Sequence, residues 1–359
     1  MIMDIIDQIS RIERLDKNKM RMSLESLGKQ CLQAWREVSK IRIPSSYRKA
    51  KRILINGMGG SALGGHIIQS LFYDQLKIPL QVIHSYCLPA SFSSDTLYLL
   101  SSYSGTTEEP LNTARLALKK KAKILGITTG GQLARFLKKQ KLPGYIFNPI
   151  HNPCGEPRMG VGYSVVGQIG LLKKCGFIKV TDNEMKKVFQ TLQKTNRRFG
   201  FANPTKKNPA KRIALACQDK IPILFGSEFL IANTHTFANQ LNENSKNFAT
   251  YFVIPELDHH LMEGLKNPKT NRGSLIFLFL ESDLYHPRVR IRHAITKKVI
   301  QKHKIKAITY KPSTKTKIEQ VFEVLSLGGY VSFYLAMLNG INPALIPWVD
   351  YFKEELKKH

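Results

Sequence analysis

Two loops constrain this chain more than anything else in it. GMGGSALGG at 57–65 follows an apolar run at 52–56, and SSYSGTTEEP at 101–110 follows another at 97–100. Each joins a segment of strand length to a segment with helical spacing of apolar residues. Glycine- and hydroxyl-rich turns from strand to helix belong to α/β folds, in which crossover helices cover a parallel sheet. The rest of the first half agrees. Strands are expected over 52–56, 80–86, 97–100, 124–128 and 145–148, with helices over 61–73, 108–121 and 132–139. Residues 1–45 read as helical.

A Pro/Gly-rich stretch, PIHNPCGEPRMG at 149–160, reads as a linker. Helices are expected over 163–174 and 183–199. After the basic segment NPTKKNPAKR, read as a loop, the alternation resumes. Strands are expected over 221–225, 248–254, 275–280 and 307–310, with helices over 228–240, 289–303 and 318–338. A last helix over 348–358 is opened by Pro347. Two α/β units suit a chain of 359 residues, since a domain takes roughly 150.

Charge is the odd feature. Lys and Arg number 55 against 26 Asp and Glu, a net charge of +29, which raises the question of a polyanionic partner. No helix-turn-helix, zinc-finger or aromatic RNA-binding pattern accompanies it, so no nucleic-acid partner is expected. The lysine clusters KKKAK, KKQK, KKNPAKR and KKH read instead as loops and exposed helix faces. The longest strongly apolar run, 275–280, is far short of the ~20 residues of a membrane span, and the N-terminus lacks a signal-peptide core. Five scattered cysteines without CxxC spacing argue against a zinc site or disulfide framework. A cytoplasmic protein with no metal and no cofactor is expected.

The first loop suits phosphate, because its backbone N–H groups and a helix N-terminus converge. Gly57, Gly59 and Ala62 match part of a dinucleotide fingerprint, but the second strand ends in HSY at 84–86, without the acid that would hold a ribose. Gly60 and Gly65 have P-loop spacing, yet His66 stands where lysine is required. A turn that only packs helix on sheet is the plain alternative. The second loop shifts the balance: Ser101, Ser102, Ser104, Thr106 and Thr107 crowd around Gly105 at a strand-to-helix junction, and such a group binds a phosphate without a cation. Glu108 and Glu109 read as partners of the helix dipole.

These two loops resemble the sugar-phosphate loops of sugar isomerase (SIS) domains. Together with EPRMGVGYS at 156–164, QLNENSK at 240–246, PELDHHLMEG at 255–264 and the terminal WVDYFKEELKK, they resemble the bifunctional phosphoglucose/phosphomannose isomerases. The resemblance implies two SIS domains, each a flavodoxin-like parallel sheet flanked by helices. It divides the chain into an N-terminal helical segment (1–45), SIS domain 1 (46–155), a linker with helices (156–204), SIS domain 2 (205–340) and a C-terminal helix (341–359). It further implies interconversion of glucose 6-phosphate, with mannose 6-phosphate as the second epimer, and fructose 6-phosphate through a cis-enediol. Gly60, Ser61, Ser102, Ser104 and Thr107 would hold the phosphate. Arg158 would sit near the reacting carbons, Glu243 would be the base, His259 would act in ring opening from the partner subunit of a homodimer, and Lys353 would complete the site.

The residue types fit that chemistry. One carboxylate can carry a proton between C2 and C1, a guanidinium stabilises the enediolate, and histidine suits ring opening near neutral pH. The alternative is a catalytically silent sugar-phosphate-binding protein that keeps the serine loops and has no use for Glu243. The sequence departs from the family pattern at His66, where Asp is frequent, at His235, in a stretch that often carries a basic residue, and at Ala344, where threonine is frequent. LESDLYH at 280–286 has no hydroxyl loop, so one phosphate site is expected.

Overall fold

The computed structural model describes residues 5–359. Helices α1 (Ile9–Leu15), α2 (Met20–Glu25) and α3 (Leu27–Ser39) lead into β1 (Arg52–Gly57), α4 (Gly60–Leu71), β2 (Leu80–Ile83), β3 (Thr96–Ser101), α5 (Glu108–Lys119), β4 (Lys123–Thr128), α6 (Gly131–Lys139) and β5 (Gly144–Ile146). Then follow α7 (Val161–Lys174), α8 (Asp182–Phe199), α9 (Pro209–Cys217), β6 (Ile221–Gly226), α10 (Ile231–Ser245) and β7 (Thr250–Val253). Two short turns, α11 (Leu261–Gly264) and α12 (Asn271–Ser274), precede β8 (Leu275–Leu280), α13 (Pro287–Lys302), β9 (Lys306–Tyr310), α14 (Lys317–Leu338) and α15 (Pro347–Leu356).

The strands form two all-parallel sheets, ordered β2-β1-β3-β4-β5 and β7-β6-β8-β9. Both have the flavodoxin-like order, in which the connections from the first and third strands of the unit leave in opposite directions. That reversal opens a crevice at the carboxyl ends of β1 and β3. The central strands read as unbroken apolar runs because helices cover both faces; all six residues of β3 are buried. The SIS-like architecture expected from the sequence is therefore present.

The helix α14 is the spine of the core. It is long and apolar enough to cross a membrane by those criteria, but nearly all of it is buried against α8, α9 and α10. Counting the longest apolar run in the sequence overlooks it, because Ser326, Gly328, Gly329 and Ser332 break the run after Glu323. Glu323 is buried yet satisfied, by Arg198 Nη1 (3.1 Å), Tyr310 Oη (2.7 Å) and the backbone N–H groups of Ser313 and Thr314.

The basic segment 203–212 is a correction. It is not simply a loop, because α9 starts inside it, with Asn208 capping the N–H groups of Ala210 and Lys211. Nor is KKNPAKR all surface: Lys211 is fully buried. Its Nζ donates to Asp7 Oδ1 (2.7 Å) and the Phe201 carbonyl (2.9 Å). A buried ammonium is tolerated only when paired in this way, and its partner lies 204 residues away in sequence.

Candidate active site

The two glycine- and hydroxyl-rich loops meet where the fold opens. Gly57 and Ser101 are register partners at the ends of β1 and β3, so both loops leave the sheet side by side. Helices α4 and α5 start there, and neither N-cap residue, Gly59 or Thr107, bonds back to its own helix through a side chain. In α4 the N–H groups of Ser61 and Ala62 already bond the Met58 (3.1 Å) and Gly59 (3.0 Å) carbonyls, and Pro110 has none to give in α5, so the two helix dipoles, rather than a full set of spare N–H groups, favour an anion here.

The hydroxyls are held in place. Ser61 Oγ accepts the Tyr103 N–H (3.0 Å), which ties the first loop to the second. Ser102 Oγ and Thr107 Oγ1 are 2.7 Å apart, and Ser102 Oγ also accepts the Gly105 N–H (3.1 Å). Ser104 Oγ pairs with Thr106 Oγ1 (2.9 Å) on the exposed side. Gly105 has φ +70°, and a Cβ there would run into the Gly130 carbonyl, so only glycine closes this turn without strain. Gly60 backs onto Arg158: a Cβ at Gly60 would lie 3.0 Å from the Arg158 Cα. The cradle contains no lysine or arginine side chain of its own loops.

Arg158 lies in a 3-10 turn, Pro157–Met159, and is 5% exposed. Its Nε donates to Asn244 Oδ1 (2.8 Å), Nη1 to Glu156 Oε2 (2.6 Å), and Nη2 to the carbonyls of Pro343 (3.1 Å) and Ala344 (2.7 Å). A guanidinium has five N–H donors. Four are engaged here, which leaves one on Nη1. The geometry makes Arg158 a strap between the 3-10 turn, α10 and the loop before α15, with one donor to spare.

Glu243 sits near the end of α10, with Oε2 3.8 Å from Arg158 Nε. The helix runs to Ser245 rather than stopping near 240, so the NEN motif is helical and Glu243 and Asn244 are rigidly placed. Burial pushes the Glu243 carboxyl above its ordinary range, Arg158 pulls it back, Glu156 raises it, and Lys246 and Lys353 lower it. A carboxylate raised by burial and restrained by a fixed cation can both take up and release a proton.

The remaining expected residues are placed differently. Lys353 is exposed on α15, close enough for its charge to act on Glu243. His259 is exposed in the 3-10 turn Glu256–His259 after β7, and its side chain has no hydrogen bond among the described residues. Within one chain, therefore, Glu243, Arg158 and the two loops come together, and His259 stands apart.

Two residues that depart from the family pattern meet in space. The rings of His66 on α4 and His235 on α10 are 5.1 Å apart, edge to face. His66 Nε2 is 3.1 Å from His84 Nε2, while His84 Nδ1 donates to the Gly57 carbonyl (2.7 Å). Burial, with His235 and His84 beside it, pushes His66 down to about 4. His66 and His235 line a groove of about 580 Å³ at the other end of α4 and α10 from Ser61 and Glu243. Sequence reasoning marks His66 and His235 separately, and nothing in their spacing could join them.

Residues 206–356 match the model of the bacterial phospho-glucose isomerase C-terminal SIS domain. A bifunctional phosphoglucose/phosphomannose isomerase of Caldicellulosiruptor bescii is 33% identical over 339 residues, covering 93% of this chain and 98% of that protein. The chain belongs to the bifunctional phosphoglucose/phosphomannose isomerase family. A second member of this family, from Aquifex aeolicus, is 28% identical over 327 residues, covering 90% of this chain and 95% of that one. Among solved structures, a hypothetical protein of Thermus thermophilus superposes with a TM-score of 0.72 at 14% identity, over 98% of this chain and 94% of that one. That likeness is one of fold, and it runs over nearly the whole chain.

Proposed function

We propose that this protein is an aldose–ketose isomerase that interconverts glucose 6-phosphate and mannose 6-phosphate with fructose 6-phosphate. The observation that carries the reading is the placement of Glu243: a carboxylate raised by burial and restrained by Arg158 stands beside a cradle of serine, threonine and backbone donors. A protein that only bound sugar phosphates would need the cradle and would gain nothing from a partly buried carboxylate next to it. Membership of the family supports the same conclusion.

In this mechanism the cradle takes the phosphate and holds the sugar at one end. Glu243 removes the proton from C2 of the open-chain aldose and returns it to C1, passing through a cis-enediol. Such a base contributes ~10²–10⁴ in rate. The free Nη1–H of Arg158 donates to the oxygen that gains charge, in a site already ordered before substrate arrives. Ring opening falls to His259 and Lys353.

His259 can serve a site only if a second chain brings it. The exposed apolar face of α15 supports such an assembly: Trp348 is 81% exposed, and Val349, Tyr351 and Phe352 lie open beside it. A cytoplasmic homodimer with shared sites fits this face and the five free cysteines. The domain limits at 46–155 and 205–340 bracket the two sheets.

A coupled assay offering glucose, mannose and glucosamine 6-phosphates separately tests the activity. Product from the first two supports the reading, and no product from any would favour the silent binding protein. Mixing Glu243→Gln with His259→Ala tests the sharing. If sites are shared, hybrid dimers restore one working site each, about a quarter of wild-type activity at random mixing. No recovery in a mixture shown to exchange subunits would place His259 elsewhere.

A further inference from the structure

Lys246 ends α10 in a left-handed conformation, φ +51°, which turns the chain back over the helix end. The residue is exposed, and its Nζ reaches the loop before α15. Nζ donates to the carbonyls of Pro343 (3.0 Å), Asn342 (3.3 Å) and Asn244 (3.3 Å). The Pro343 carbonyl also accepts Arg158 Nη2 (3.1 Å), and the Asn244 side chain accepts Arg158 Nε (2.8 Å). The two cations therefore share one acceptor directly and one residue indirectly, closing a ring of Arg158, Pro343, Lys246 and Asn244. Glu243 lies against this ring, one residue from Asn244 and 3.8 Å from Arg158. The loop that the ring grips launches α15, which carries Lys353.

We propose that Lys246 is a positioning residue of the isomerase reaction: it clamps the 342–344 loop together with Arg158 and supplies the second fixed cation of the field at Glu243. The inference rests on Glu243 being the base. The charged groups facing this ammonium are Arg158 and Glu156 from the 3-10 turn and Glu243 from its own helix; Lys353 faces the same carboxylate from α15. Burial, with Arg158 beside it, lowers Lys246 to about 8. Its charge is thus lost within the working range of many enzymes, whereas an arginine at the same place keeps its charge.

The test compares wild type, Lys246→Gly and Lys246→Arg. Glycine removes the side chain and relieves the left-handed backbone, so the variant is expected to fold. Lys246→Gly is expected to lower kcat about tenfold or more and to move the acid limb of the kcat/KM profile up by about half a pH unit or more, because one cation is gone from beside the base. Lys246→Arg is expected to restore that limb and to push the alkaline limb near pH 8 upward. Carboxyl-carbon NMR titration of Glu243, assigned with Glu243→Gln, reads the same field without turnover. An unshifted Glu243 titration in Lys246→Gly would overturn the inference whether or not the enzyme is active. A shifted titration in a wild type inactive on every sugar phosphate would instead count against the isomerase reading alone. Unchanged kcat and pH limbs in Lys246→Gly, with active wild type, would also overturn it.

Discussion

Replacing Arg158 separates its two duties. In Arg158→Met the guanidinium's four protein acceptors, Asn244 Oδ1, Glu156 and the Pro343 and Ala344 carbonyls, lose their donor at once. Breaking a buried ion pair by removing one partner costs about 3–5 kcal/mol. At roughly 2–4 °C per kcal/mol the melting temperature should fall by on the order of 10 °C. The electrostatic duty is read through Glu243. At 3.8 Å and an effective dielectric near 20, the Arg158 charge favours the carboxylate by about 4 kcal/mol, or about 3 pKa units. The carboxylate is 33% exposed, so solvent screening makes that figure an upper bound. In the proposed mechanism Glu243 acts deprotonated, and losing the cation raises its pKa further. The acid limb of kcat/KM should therefore move up by about one to three pH units. Arg158→Lys keeps a charge and loses the fork, so it should destabilise nearly as much while moving the limb by less than about one unit. The assay is a pH series of coupled isomerase rates at a temperature where both variants remain folded by circular dichroism. A folded Arg158→Met with its acid limb at the wild-type position would refute the field that the structure shows around Glu243.

Three further outcomes follow from the same geometry. The raised Glu243 carboxyl contributes stability that is complete below its unfolded pKa and lost as pH rises through the folded value, so Glu243→Gln should gain melting temperature relative to wild type as pH rises from acid to neutral; a relative loss over that range would contradict the sign. Gly105→Ala sets a Cβ against the Gly130 carbonyl and 2.7 Å from Thr128 Oγ1, and should weaken sugar-phosphate binding about tenfold or more by calorimetry, with unchanged affinity ruling out the second loop as the cradle. His66, held near 4 against 6.5 unfolded, binds fewer protons folded than unfolded between those values, so stability should fall by up to about 3 kcal/mol as pH drops through that window, and less in His66→Gln; denaturant midpoints at pH 7.5 and 5 measure the difference, and equal slopes would remove His66 from the account.

Much of this was legible in the sequence because it is local. The strand-to-helix alternation, the two loops and the helix opened by Pro347 depend on residues near one another, and the structure places them within a few positions of expectation. The hydroxyls of Ser102 and Thr107 could be read as a cluster because they share one turn. What the sequence could not show depends on distant partners. Lys211 looks like a surface lysine until Asp7 meets it. Arg158 looks like a linker residue until Asn244 and the carbonyls at 343–344 close around it. His66 and His235 look unrelated until α4 and α10 bring their rings together. Lys246 closes the QLNENSK motif, yet nothing in the sequence signals its clamp, because its partners are main-chain carbonyls.

The occupied guanidinium of Arg158 bears on how this enzyme can change over generations. A catalytic cation free in its pocket can drift in orientation or be exchanged with little effect on folding. Here four of five donors are spent on the protein itself, so any change that improves or retunes the last donor also disturbs the join between the 3-10 turn, α10 and the loop before α15. Turnover and thermal tolerance are thereby inherited together at this position. Adaptation to a new substrate or temperature has its freest route through side chains outside this join.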